Sequence, residues 1–393
     1  MSANHWPFFE AHHLEPDEVF ALLALRHGGY RSSGARSLIG DPAAYEVWFS
    51  GKGNPMIRCL AGKRHAAALA DELAELLRPT RRWFTTVMTG HFRLSGSFVS
   101  DDIQIRPIDD LRSAAFTSLP GVRQNPSRHQ PRLSAALIDF AYTGGDDSFV
   151  AMRRMDVAMR DVCNLVTLST LRSMSQPVGG EQWNLVWDES LSEMRNVRLH
   201  AGFDHPELGE KEGPPHTGAN RVETVDHARF AAGAMDLLSD GEQRVVETSP
   251  LLLLNLQNLR GKVRRQARVA LEWYARGRRA PSNDEAVVAY TTGIEALLPP
   301  SRGEQCQECS APMHSNEKRV NQFLDEFAGR EMRAEFRKVV YEQRSRIVHG
   351  ALLHDIDHPF MSVGGSSDMD VLCVQGSVHA ALLNWLRQPP TDT

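Results

Sequence analysis

Near residue 251 the hydrophobic pattern of the chain changes to one that only helices satisfy. Leu252, Leu256, Leu259, Val263, Ala267, Ala270 and Tyr274 follow one another in steps of three and four, so they line one face of a helix with 3.6 residues per turn. The spacing predicts a single long first helix. Asn283 or Asp284 can cap a second, with Val287, Thr291, Ile294 and Leu298 on its inner face and Pro299–Pro300 as its stop. Ser315 opens a third helix through Phe327. A fourth runs over about 330–348, with Met332, Phe336, Val339, Val340 and Ile347 apolar and Gly350 as the C-cap. A last helix near Val374–Leu386 turns Val378, Leu382, Trp385 and Leu386 inward. Helices of this length with short connections pack as a bundle, here over residues 246–393.

Residues 1–245 read differently. Glu46–Ser50 and Met56–Leu60 are short strand candidates around the turn Gly51–Pro55. Ala66–Leu77 reads as a helix, Phe84–Ile108 as strands, Ser134–Tyr142 as a strand closed by Gly144–Gly145, Ser148–Met174 as a long helix and Trp183–Trp187 as a strand. Gly202–Gly218, rich in Gly, Pro and charge, reads as a linker. Ala228–Leu238 reads as a short helix and Ser239–Pro250 as a hinge. The expected fold class is therefore α+β: a mixed α/β region over 1–245, divisible near 130, ahead of an all-α bundle.

With 393 residues, 41% hydrophobic and 24% charged, the chain can bury a sizeable core. The net charge of -5 offers no global attraction for nucleic acid, so such binding needs a local patch. The first residues lack the basic and apolar regions of a secretory signal, and the longest apolar run, Leu251–Leu254, is too short to span a bilayer. Five scattered cysteines, an odd number, argue for a reducing cytoplasm rather than a disulfide framework.

The fourth helix ends in Tyr341-Glu-Gln-Arg-Ser-Arg-Ile-Val-His-Gly350. Arg344 and His349 are separated by four residues. Five steps along a helix turn through about 500°, which leaves the two side chains roughly 140° apart. Arg keeps its charge and offers a planar fork of donors to phosphate oxygens. His is the side chain whose unperturbed pKa suits proton transfer near neutrality. Together they suit proton transfer beside a bound phosphate.

This segment resembles the HEPN ribonuclease motif, an Arg, four intervening residues and a His. Tyr290-Thr-Thr-Gly-Ile-Glu-Ala-Leu-Leu298 and Leu271-Glu-Trp-Tyr-Ala275 resemble the second helix and the end of the first helix of Apea-like HEPN domains. The resemblance covers about residues 250–393. It implies a HEPN bundle, His349 as general acid/base, Arg344 on the scissile phosphate with Arg346 beside it, a 2′,3′-cyclic phosphate product, and a homodimer that pools these residues in one cleft. It implies an RNase of defence or toxin type, with the N-terminal region as sensor or restraint and no cofactor in catalysis. One position departs from the pattern: active members often carry Asn, Asp or His after the Arg, and here it is Ser345. The alternative is a non-catalytic module that binds RNA, nucleotide or a protein partner.

Other constellations are weaker. Arg260, Arg264 and Arg268 recur at every fourth residue and can form a phosphate-tracking ridge or a solvated helix face. Cys306-Gln-Glu-Cys309 with His314 nearby can contribute to a structural zinc site. Zinc needs four ligands, so three readings stay open: a distant fourth ligand, two such knuckles meeting across a dimer, or no metal. His354-Asp355-Ile-Asp357-His358 reads as a solvated loop. Gly29–Gly34 has P-loop glycine spacing but continues Ala35-Arg36, without the Lys that a nucleotide site needs.

Overall fold

The computed structural model describes residues 23, 30–33, 36–39, 45–49, 55–60, 71, 75, 78–90, 94–108, 134–145, 148–170, 174–175, 182–187, 194–200, 207–232, 243–298, 316–330, 332–350 and 366–389. The chain divides into two compact units, one of residues 1–84 and 141–159, the other of residues 85–140 and 160–393.

The first unit carries an antiparallel meander: β1 (Tyr30–Ser33), β2 (Arg36–Ile39), β3 (Tyr45–Phe49) and β4 (Pro55–Cys59). Alternation sorts β3 into two faces. Tyr45 and Val47 are buried. On the other face Glu46 pairs with its cross-strand neighbour Arg58 at 3.2 Å, whose guanidinium also lies over the Trp48 ring. The expected helix Ala66–Leu77 lies almost wholly outside the described residues.

A second sheet has the order β12-β5-β8-β7-β6, with β9 added against β5. Its strands are β5 (Thr80–Gly90), β6 (Phe98–Val99), β7 (Ile103–Pro107), β8 (Ser134–Gly144), β9 (Met174–Ser175) and β12 (Gly209–Lys211). Residues 135–142 of β8 are buried along both faces, which is why that strand reads as a nearly continuous apolar run. Its one charge, Asp139, is fully enclosed and accepts hydrogen bonds from Thr85 Oγ1 (2.7 Å), Arg106 Nε (2.6 Å) and Arg106 Nη2 (3.0 Å). Arg106 also reaches Glu207 at 2.7 Å, and this pairing raises its pKa further. After α1 (Ser148–Ser169), β10 (Gln182–Trp187) and β11 (Met194–His200) form an antiparallel hairpin. β11 was not anticipated.

The expected linker is held rather than loose where it is described. His216 O accepts from the Gln104 amide (2.7 Å), and Arg221 N donates to Ser97 O (2.8 Å). The expected hinge also carries structure. Val245 and Val246, both fully buried, form β14, which runs parallel to β13 (Thr224–Val225). Between them in the chain, α2 (His227–Ala231) is capped by Asp226, whose carboxylate accepts from Ala228 N and Arg229 N.

The helical part matches the expected order with one correction. The single first helix is two: α3 (Ser249–Asn258) and α4 (Gly261–Arg279). Gly261 sits at φ 51°, a left-handed conformation that glycine tolerates and that interrupts a helix. The apolar stripe nonetheless stays buried across the break, apart from a half-buried Val263. Next come α5 (Asn283–Leu297), α6 (Asn316–Phe327), α7 (Ala334–Val348) and α8 (Ser366–Arg387). The cap of α5 is Ser282, one residue ahead of the expected pair, and its hydroxyl accepts from Glu285 N. α8 packs against α2, α3, α4, α5, α6 and α7, which is why Val378, Leu382, Trp385 and Leu386 are buried. In α7 only Val340 of the expected apolar residues is fully buried, and the others are half-buried.

Candidate active site

α7 lies at one side of the helical assembly, and two polar contacts fix its rotation. Gln343 is buried and donates to Asp370 Oδ2 on α8 at 2.8 Å. Arg337 bridges to Asp325 at the end of α6 at 2.7 Å. With Gln343 and Val340 turned inward, the helical period carries Arg344 to the shoulder of the helix and the next residues to the surface.

Arg344 has 23% of its side chain exposed. One terminal nitrogen, Nη2, stands 3.4 Å from each carboxylate oxygen of Glu295 on α5. The guanidinium carbon lies 5.6 Å from the Tyr341 ring centroid, one turn earlier on the same helix. Its Nε is enclosed without a hydrogen bond.

His349 is the C-cap of α7, with φ -88° and ψ 4°. Its backbone N–H bonds to Ser345 O at 3.0 Å, and Gly350, at φ 70°, turns the chain away from the helix axis. The imidazole is exposed and makes no hydrogen bond among the described residues. Arg346 and Val348 are exposed, and Ser345 is half-buried. Arg344 and His349 thus belong to one helix end, a cation held by Glu295 and an exposed imidazole. No hydrogen bond joins them, as their angular separation requires.

The ridge on α4 is not uniform. Arg260 is exposed at the N-cap and closes the α3–α4 break through Gln257 O (2.8 Å) and Leu259 O (3.2 Å). Arg264 is half-buried. Arg268 is bound by Asp161 on α1, with Nε 3.0 and 2.9 Å from the two carboxylate oxygens. The Arg268–Glu272 stretch of α4 is thus tied to α1, where Asn164 also donates to Glu272, while Arg260 stays exposed. Asp161 therefore engages the Nε edge of the Arg268 guanidinium.

Cys306, Cys309 and His314 lie outside the described residues, as does the His354–His358 loop. Among the described residues no group of three metal-ligating side chains occurs, and no helix is long and apolar enough to cross a membrane.

Two residues of the arrangement were missed in the sequence reading. Glu295 was visible as a lone carboxylate in an otherwise apolar stretch, Ile294-Glu-Ala-Leu-Leu298, and Tyr341 as the aromatic one turn before Arg344. The core of the helical part also holds an unanticipated polar pair. The Tyr274 hydroxyl and His379 Nδ1 stand 2.8 Å apart in a hydrogen bond. Burial, then the nearby Arg278 and His227, push the His379 pKa down to about 3. His227 in turn joins Thr248 Oγ1 (2.7 Å) to Asn384 Oδ1 (2.8 Å).

No protein-family model, no curated protein and no solved structure matches this chain.

Proposed function

We propose that the chain is a HEPN-type, metal-independent endoribonuclease of defence or toxin type. His349 serves as general acid/base, Arg344 stabilises the phosphate and Arg346 assists. The observation that carries this reading is the end of α7: an exposed imidazole with no competing partner among the described residues, five residues from a guanidinium anchored at one end only. The imidazole takes the 2′-hydroxyl proton or returns one to the leaving oxygen. The guanidinium meets the charge that develops on the phosphate. The two side chains point about 140° apart on a helix, a spacing compatible with a homodimer that pools them from two copies of the chain in one cleft. The reaction needs no cofactor, and zinc at Cys306 and Cys309 would have a structural role.

One observation favours a second reading, a non-catalytic HEPN module that binds RNA, nucleotide or protein. Glu295 partly neutralises the cation on which the chemistry depends, and Ser345 stands where active members often carry Asn, Asp or His. The test is incubation of the purified protein with mixed RNAs in EDTA, wild type beside His349→Ala. Cleavage by the wild type alone supports the enzyme. Binding without cleavage supports the module.

A further inference from the structure

We propose that Glu295 is a positioning residue for this site: it holds one end of the Arg344 guanidinium so that the other end is presented to the scissile phosphate. The proposal rests on the nuclease reading above.

The contact is unlike an ordinary stabilising ion pair. Charge-assisted N–H···O bonds to a carboxylate usually run about 2.7–2.9 Å, and Arg often engages both oxygens with two nitrogens. Here a single nitrogen, Nη2, faces both oxygens at 3.4 Å. The carboxylate therefore grips one corner of the guanidinium. The Tyr341 ring lies 5.6 Å from its carbon, and Nε is enclosed. That leaves Nη1, which makes no hydrogen bond among the described residues, as the donor able to meet an incoming anion. Together with the Tyr341 ring and the enclosure of Nε, this contact limits the rotation of the fork before substrate arrives, and orientation of this kind is what a transition-state contact needs.

Glu295 has little other reason to be where it is. It lies in the last turn of α5, where the helix dipole disfavours a negative charge. The carbonyls at that end are served by another residue, since the Gln266 amide donates to Ala296 O (3.0 Å) and Leu298 O (3.4 Å). With only 22% of its side chain exposed, the carboxylate has limited access to water, and Arg344 is the cation that compensates it.

The experiment measures kcat and KM on a single-stranded oligoribonucleotide for the wild type, Glu295→Ala, Glu295→Gln, Arg344→Ala and the double variant Glu295→Ala/Arg344→Ala, with thermal unfolding alongside. Loss of Glu295 misplaces a group used in the transition state, so Glu295→Ala lowers kcat roughly 10- to 100-fold with KM little changed. Glu295→Gln restores most of kcat, because its amide oxygen still accepts from Nη2. In the Arg344→Ala background the Glu295→Ala change has no further effect. Where the alanine variant does not fold, Glu295→Asp carries the test: it draws the carboxylate back by one methylene, so kcat falls while the fold is kept. Wild-type kcat in Glu295→Ala or Glu295→Asp overturns the proposal and leaves the nuclease reading standing. So does an equal loss with and without Arg344, which describes a tether between α5 and α7 and nothing more. A wild-type protein that cuts no RNA, or a His349→Ala variant that cuts as well as wild type, overturns the reading and this inference with it.

Discussion

Acid should destabilise the helical part through His379. Its ring is enclosed among Phe230, at 5.1 Å between ring centroids, Tyr274, Arg278 and His227. These surroundings push its pKa down to about 3, against about 6.5 in an unfolded chain. Between those values the unfolded chain binds the proton and the folded chain does not, so stability falls as pH falls. The slope approaches about 1.4 kcal/mol per pH unit, and the loss from pH 6 to pH 4 is about 2.5 kcal/mol. Urea unfolding followed by circular dichroism at pH 7, 6, 5 and 4 measures it, with His379→Leu for comparison. The variant starts lower at pH 7 by about 1–3 kcal/mol, because Tyr274 loses its partner, and then converges on the wild type as the pH drops. Parallel loss of stability in the two proteins would refute the assignment, since it would place the acid sensitivity elsewhere.

Three further outcomes follow from packing and charge. Asp139→Ala leaves Arg106 with Glu207 alone and should destabilise by about 3–5 kcal/mol in urea; a loss under about 1 kcal/mol would mean that water reaches the pair. Gly277→Ala should destabilise by about 1–3 kcal/mol although alanine ordinarily stabilises a helix interior, because a Cβ there would stand 2.5 Å from the Tyr290 ring; a rise in melting temperature would contradict this close approach. In RNA binding, Arg268→Ala should leave the slope of log affinity against log salt unchanged and lower stability instead, because Asp161 holds that guanidinium, whereas Arg260→Ala should reduce the slope by about one.

What the sequence conveyed well was periodic and local. The stripe from Leu252 to Tyr274 marked a buried helical face, and Gly350 marked the end of α7, because helical spacing and a left-handed cap are properties of neighbouring residues. The angle between Arg344 and His349 was legible for the same reason: it follows from a fixed separation on one helix. The misses depend on partners far along the chain. Arg268 looked solvated until Asp161, 107 residues away, proved to hold it. Glu295 is tied to Arg344 across 49 residues, and no helical period reports such a pair. Val245 and Val246 sat in a stretch rich in turn-formers and charge, and a two-residue strand pairing with Thr224–Val225 leaves too short a signature to outweigh it. Gly261 could be read as an ordinary helical glycine, since the stripe it interrupts keeps its phase on both sides.

The measurement that bears most directly on the proposed chemistry is the end group left on cleaved RNA. Purified wild type and His349→Ala are incubated with a labelled oligoribonucleotide in EDTA, and the products are tested for a 2′,3′-cyclic phosphate. Cyclic phosphate ends are expected from the wild type, none from His349→Ala, and no dependence on added metal. Products ending in a 3′-hydroxyl, or the same cyclic ends from His349→Ala, would contradict the proposed chemistry.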